Sequence, residues 1–465
     1  MRHSRVLRAA AQTAVSRRRF IRGSLVSAGG LVLGAPYILR GAVNDDRPRV
    51  ALVGVGGQGT SRLKEALGCG VNLLALCDVD EKMLARAKQN EPDKLAATKT
   101  YVDYQKLLAE EPDLAAVIIA TPDHWHATIA RHTLAAGKHL FCEKPLTHTI
   151  AEARELTELA QQSKVITQMG NQGSATSTMR RGIEVVQAGA IGKVREVYIW
   201  VAKSGSFVPG QSEPVGSDPV PAEFHWDNWI GPAPFRAYKK TIYHPHAWRA
   251  WYDFGGGSMA DWGCHGLNFP VRALKLGFPT AIAADADPGY AGCYPKQVRI
   301  RFDFGARDEL PPVTVWWFDG GRLPPAEVVP KSVVDHFGEM PNAGVLVLGD
   351  NGFTFGAPHP GSEYIQLANE TKLSGVQHHA ATASIPQSLP RSRGHMQEWL
   401  AGFKTGTQPF STFAVGGHLT EIVLSGVVAL RAGKKLDWDG PGMRARNDPK
   451  VDQFIRTPMR TGWAQ

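Results

Sequence analysis

Residues 49–59 read RVALVGVGGQG, and this stretch decides the fold. The apolar run Val50 to Val53 has the length of a buried strand and ends directly at Gly54-x-Gly56-x-x-Gly59. Alone such a glycine pattern is weak, because glycine is common in turns. Its surroundings strengthen it: a helix-length segment (60–68) follows, and the next apolar run, NLLALCDVD (72–80), brings Asp78 nineteen residues after the third glycine. This is the fingerprint of a dinucleotide site, in which glycines let the backbone approach a pyrophosphate at a helix N-terminus and the acid binds the ribose hydroxyls. A carboxylate at position 78 repels a 2′-phosphate, and Val79 and Asp80 supply no cation, so NAD is favoured over NADP.

The alternation continues outward from that unit. LAAVIIATP (114–122), KHLFCEKP (138–145) and VITQMG (165–170) read as strands, with helical patterns at 124–137 and 149–162 between them. The expected class is therefore α/β, an N-terminal Rossmann doubly wound parallel sheet over 49–170. Beyond it, REVYIWVAK (195–203), QVRIRFDF (297–304), VTVWWFD (313–319) and GVLVLGD (344–350) read as strands without regular helices between them. They predict a C-terminal α+β domain over 171–440 with a large open, mainly antiparallel sheet, which would bury its outer face in a homo-oligomer. Residues 204–238, rich in Gly and Pro, read as a pocket lid or subunit contact, 353–395 as loops with a short strand, and 441–465 as a C-terminal tail.

The net charge of +9 suggests nucleic acid until it is located. Residues 1–49 hold ten arginines, no lysine and only two acids, so the rest of the chain is nearly neutral and offers no electrostatic reason to bind nucleic acid. Ser16-Arg17-Arg18-Arg19-Phe20-Ile21-Arg22, followed by a short apolar run to Leu39, resembles a twin-arginine export signal over residues 1–42. It implies the twin-arginine translocation machinery as a partner and a periplasmic or exported location, with an uncleaved signal as a possible membrane anchor. No other uninterrupted apolar run reads as long enough to span a bilayer. The five cysteines sit singly and read as small buried hydrophobes.

GVGGQG, ATPDHWHATIA (120–130) and AGKHLFCEKPLTHTIAEARELTELA (136–160) resemble the glucose-fructose oxidoreductase / inositol dehydrogenase / rhizopine catabolism family, most specifically at Glu143-Lys144-Pro145. The resemblance runs from about residue 49 to about residue 440. It implies a cofactor-facing set of Gly54, Gly56, Gly57, Gln58, Gly59, Asp78, Thr121, Pro122, His126, Glu143 and Lys144. It also implies that a strand-end lysine meets an Asp-x-x-x-His helix at the substrate, here Lys144 with Asp261 and His265 in WRAWYDFGGGSMADWGCHGLN (248–268).

Helical spacing puts Asp261 and His265 on one face. Removing hydride from a carbinol carbon requires its hydroxyl proton to leave: His265 would accept it, Asp261 would orient the imidazole, and Lys144 would hold the alkoxide. His244, His246, Arg249, Trp251 and Asn268 are expected to line the substrate pocket. A metal held by His244, His246, Asp261 and His265 is the weaker reading, since the dinucleotide motif already accounts for the redox centre. The expected activity is oxidation of a secondary hydroxyl of a sugar, cyclitol or glycoside by tightly bound NAD, because an exported enzyme must carry its cofactor with it. The alternatives are a redox-neutral NAD-dependent glycosidase and a carbohydrate-binding protein without turnover.

Overall fold

The computed structural model describes residues 47–202, 208–359 and 361–463. The arginine-rich segment therefore lies outside the described residues. The first sheet has six strands, β1 (Arg49–Val53), β2 (Asn72–Cys77), β3 (Lys99–Tyr101), β4 (Ala116–Ile119), β5 (His139–Glu143) and β6 (Thr167–Gly170). Their order is β3-β2-β1-β4-β5-β6, all parallel. The helices between them are α1 (Gly57–Gly68), α2 (Glu81–Asn90), α3 (Tyr104–Glu110), α4 (Asp123–Ala135) and α5 (Ile150–Gln162). Local chemistry starts them where the sequence changes period: Asp80 caps α2 through the Lys82 amide, and Thr149 with Glu152 forms a reciprocal capping box on α5. The strand order reverses between β1 and β4, which opens a crevice above the carboxyl ends of the strands.

After α6 (Ser177–Gln187), the second sheet comprises β7 (Val194–Val201), β8 (Ala281–Ala286), β9 (Val298–Phe304), β10 (Val313–Asp319), β11 (Ala343–Gly349), β12 (Gly352–Ala357), β13 (Gly361–Leu367), β14 (Ser374–Gly375), β15 (Leu436–Asp439) and β16 (Arg444–Ala445). Only β7 and β10, at its centre, pair in parallel. The remaining helices are α7 (Trp226–Ile230), α8 (Gly257–Gly266), α9 (Asn268–Ala273), α10 (Lys331–Phe337), α11 (His395–Thr405), α12 (Phe413–Ala432) and α13 (Asp452–Ile455).

Three expectations change. The segment 353–395 contributes β12 and β13 as full sheet partners, because FTF and the alternating EYIQL are separated by a Pro-rich turn that hides their continuity. The tail that begins at residue 441 is packed through Trp463: Val451 and Ile455 are buried, and Trp463 sets its edge on Trp125 at 5.4 Å. The partition at residue 170 is crossed by later helices, since Met396 and Trp399 of α11 join the apolar cluster of the first sheet. Helix α12 likewise crosses, with Thr420 Oγ1 accepting from the Leu146 amide at 3.1 Å and Glu421 paired to Arg154 at 2.7 Å. By length and composition α12 could cross a membrane, but most of its residues are buried in this core.

Candidate active site

Every loop at the carboxyl end of a first-sheet strand brings a polar group to one cavity of about 820 Å³. After β1 the glycine turn is dictated by close approach. A Cβ on Gly54, whose φ is +84°, would stand 2.7 Å from the Ala120 carbonyl carbon, and one on Gly59 would stand 2.0 Å from the Gly54 oxygen. Gly54, Gly56, Gly57 and Gln58 line the cavity, whereas Gly59 acts by letting helix and strand pack. After β2, Asp78 accepts from the Val55 amide at 2.9 Å and the Asp80 amide at 3.0 Å, so the acid also ties down the glycine turn. Thr121 and Pro122 line the cavity after β4, and Glu143 does so after β5, paired with Arg62 at 3.2 Å. The buried Thr121 Oγ1 has no hydrogen-bond partner among the described residues. An uncommitted hydroxyl beside a glycine cradle at a helix N-terminus fits a dinucleotide.

His126 lines the same cavity, but its Nδ1 and Nε2 face the carbonyl oxygens of Pro145 (2.8 Å) and Thr121 (3.0 Å). It positions two cofactor-side turns, and neither ring nitrogen is left for a ligand. Burial, opposed by those two carbonyls, pushes its pKa down to about 4.

The polar floor of the cavity is built where α8 meets the ends of β5 and β6. Gly257, at φ +64°, starts α8 pressed on the Tyr294 ring, where a Cβ would stand 2.0 Å from the ring carbons. Tyr294 is held in turn by donating to the buried Asp319 at 2.7 Å. From α8, Asp261 Oδ1 accepts from Lys144 Nζ at 2.6 Å, and Lys144 also donates to the Asp261 carbonyl at 2.7 Å. Arg249 Nε approaches the same carboxylate oxygen at 3.3 Å while its guanidinium lies 4.3 Å over Trp248. Burial alone would raise the Asp261 carboxyl, but Lys144 and Arg249 outweigh it and hold it well below the usual carboxylate range.

Asp261 does not orient His265. The imidazole Nδ1 meets Asn171 Oδ1 at 3.2 Å, and Asn171 Nδ2 donates to the Cys264 carbonyl at 2.7 Å. With its amide donor committed, Asn171 can only accept from His265; Nδ1 therefore carries the proton and Nε2 is the free base. Burial, then the charge of Lys144, pushes the imidazole pKa well below its ordinary value. Beside these groups stand two that the sequence reading missed. Asp123, the buried first residue of α4, has its carboxyl raised to about 8 by burial, against the pull of Arg249 and Lys144. His359, after β12, sets its ring 4.9 Å from that of His265, edge to face. Asp123 stood in the quoted ATPDHWH stretch and Asn171 directly after an apolar strand; nothing local pointed to His359 or Trp463, which also line the cavity or its core contacts.

The expected substrate set divides. Arg249 stays at the floor, whereas Trp251 is fully buried and donates to the Ile242 carbonyl at 3.0 Å. Asn268 is buried too, bonded to Ser174 Oγ at 3.0 Å and Arg272 Nε at 3.1 Å. Neither lines the cavity: Trp251 packs with Tyr243 and Phe254, and Asn268 also meets Met179 of α6. His244 and His246 lie on the nucleotide side: His244 Nε2 meets Asp80 Oδ2 at 3.0 Å, and His246 stands 3.3 Å from the position a Gly57 Cβ would take. They do not converge with Asp261 and His265, and no metal-holding group of His, Cys, Asp and Glu occurs among the described residues.

Comparison with known proteins accords with this geometry. Among curated proteins, the chain is 36% identical over 125 residues to glycosyl hydrolase family 109 proteins of Shewanella sp. strain W3-18-1 and Shewanella baltica. That match spans 26% of this chain and about a quarter of the length of those relatives. Among solved structures, the WlbA dehydrogenase of Bordetella pertussis, in complex with NADH and UDP-GlcNAcA, shares the fold at a TM-score of 0.57 and 14% identity, over 84% of this chain and 99% of that one. The aldose-aldose oxidoreductase of Caulobacter crescentus does so at 0.57 and 16%, over 84% and 100%. The sequence model of the GFO_IDH_MocA oxidoreductase family, NAD-binding Rossmann fold, matches residues 48–171, and that of its C-terminal alpha/beta domain matches 183–305, together more than half of the chain. The chain belongs to the Gfo/Idh/MocA family of NAD-binding oxidoreductases.

Proposed function

We propose that this oxidoreductase acts on a secondary hydroxyl of a sugar, cyclitol or glycoside. The observation that carries the reading is the convergence of Lys144 with a His265 whose Nδ1 is committed to Asn171, leaving Nε2 as the base. Bound NAD supplies the two-electron acceptor. His265 Nε2 takes the hydroxyl proton, Lys144 stabilises the developing alkoxide, and Asp261, itself held by Arg249, keeps the ammonium in place. A carbohydrate fits the polar floor beside the Trp248 and Trp262 side chains that line it. Export through the twin-arginine pathway, and pairing of copies through the open sheet, remain parts of this proposal; the first rests on Ser16–Arg22 and the second on the ten-stranded, mainly antiparallel layer. The test is to incubate the purified protein with a panel of aldoses, cyclitols and glycosides and follow nicotinamide reduction. Reduction by at least one, lost in Lys144→Ala and His265→Ala variants that still bind NAD, supports the reading; none with any panel member sinks it.

A second reading, the redox-neutral glycosidase, is favoured by the glycosyl hydrolase relatives and by His359. Oxidation uses one base, whereas elimination of an aglycone next to the new ketone needs another to remove the α-hydrogen. Water then adds and the hydride returns, so no net oxidation occurs. Release of aglycone without net NADH, abolished by His359→Ala while the initial oxidation persists, would select this reading.

A further inference from the structure

Residues 223–246 follow the whole first sheet in the chain, yet they bind both loops that flank the glycine turn. On the β2 side the attachment is a short piece of backbone pairing. The His225 amide donates to the Val79 carbonyl at 2.9 Å, the Glu81 amide donates to the Glu223 carbonyl at 3.0 Å, and Phe224 bridges Asp80. Side chains reinforce it: Glu223 pairs with Lys82, His225 Nε2 meets Glu81 Oε1 at 2.9 Å, and His244 meets Asp80 while stacking on Phe224 at 4.6 Å. On the β4 side the Trp229 carbonyl accepts from Trp125 Nε1 at 3.0 Å and meets His124 Nε2 at 2.9 Å, both in the first turn of α4. Because β1 lies between β2 and β4 in the sheet, a segment fastened to both outer loops arches over the turn between them. His246 over Gly57 is where that arch comes down.

From this juxtaposition we infer that residues 223–246 are a strap that closes the NAD site and sets the rate at which the nucleotide leaves. His244 is its fastening on the ribose side: it engages Asp80, two residues from the Asp78 carboxylate that the dinucleotide fingerprint assigns to the ribose. A nucleotide lying along the glycine turn is covered on the strap side, so dissociation requires the 79–82 pairing or the Trp229 contacts to part. The aromatic cluster behind the strap (Phe224, Trp226, Trp229, Tyr243, Trp251 and Phe254) makes it a stiff element, and Arg460 anchors it through Asp227 at 2.6 Å and the Gly231 carbonyl at 3.0 Å. The physical consequence is a cofactor reduced and reoxidised in place. The inference rests on the NAD site of the proposed function and is independent of which carbohydrate is used.

The test uses the full chain, loaded with NADH and chased with excess NAD, reading the loss of energy transfer from protein tryptophan to the reduced nicotinamide. The wild type should keep NADH through dialysis, and His244→Ala should release it at least tenfold faster. His244→Gln, whose amide can still donate to Asp80, should release it near the wild-type rate, and Lys82→Ala, at an exposed pair, provides a variant with little risk to folding and a smaller acceleration. Rapid release from the wild type, or equal release rates in wild type, His244→Ala and Lys82→Ala, overturns the strap. Slow, strap-dependent release in a protein that oxidises no carbohydrate would leave the strap standing and remove the proposed function, while carbohydrate oxidation with freely exchanging NAD would do the reverse.

Discussion

The glycine turn and the polar floor of the cavity are built on opposite principles. The turn is contiguous: Gly54 to Gly59 and Asp78 lie within two strands and a helix, and each residue acts through backbone approach or a bond to a near neighbour. The floor is assembled at a distance, with Lys144, Asn171, Arg249, Asp261, His265 and His359 coming from five separate elements. A contiguous site is robust to changes elsewhere, whereas an assembled one depends on the packing that brings α8 to the ends of β5 and β6.

The contrast can be broken first at its strongest point. Lys144→Ala or His265→Ala should lower single-turnover nicotinamide reduction by about 10²–10⁴-fold with NAD affinity little changed. A parallel loss of NAD affinity would mean that the floor and the turn are one unit. Next in size is Asp123→Asn. The Asp123 carboxyl is raised from 3.8 to about 8, so between those values the folded chain holds a proton that the unfolded chain has released, and stability falls as pH rises. The asparagine variant should gain on the wild type in denaturant titrations between those two values, by up to a few kcal/mol. A constant difference across that window would place the Asp123 carboxyl in a different charge state.

A smaller effect sharpens the assignment of the base. Asn171→Ala should lower kcat by about 10–100-fold with KM nearly constant, since the residue only holds the tautomer. Asn171→Asp puts a carboxylate against Nδ1 and raises the imidazole pKa, so the acid limb of kcat/KM should move to higher pH. An unmoved limb would assign the titrating base elsewhere. The smallest effect belongs to Trp463→Ala, which removes an edge contact with Trp125 and should cost about 1 kcal/mol of stability without changing the floor.

Much of this was legible in the chain, unevenly. The parallel sheet and its fingerprint were read with strand limits close to those found, because period, caps and glycines act within a dozen residues. The strands at 298–304, 313–319 and 343–349 were equally plain from their apolar, β-branched and aromatic residues. The short edge strand KTY and the Ala/Asp-rich AIAADA were not, since three residues are too few to show a period and a single Ile among Ala and Asp gives no run of strand-forming residues. In the site, Lys144 and His265 line one cavity, but helical spacing alone points to Asp261 as the partner of His265. Asp261 and His265 do share a face, yet the two cations beside Asp261 claim its carboxylate and leave the imidazole to Asn171.

The sequence by itself determined the class of the fold, the dinucleotide turn and the place of Asp78 at the end of the second strand, because each is written in short-range order. Only the tertiary structure decided which carboxylate, amide and imidazole meet. It also decided that His244 reaches Asp80, that His246 stands over Gly57 and that Trp463 returns to Trp125. Those pairings join residues up to hundreds of positions apart, and no local pattern encodes them: they follow from burying the faces of two sheets against helices shared between them.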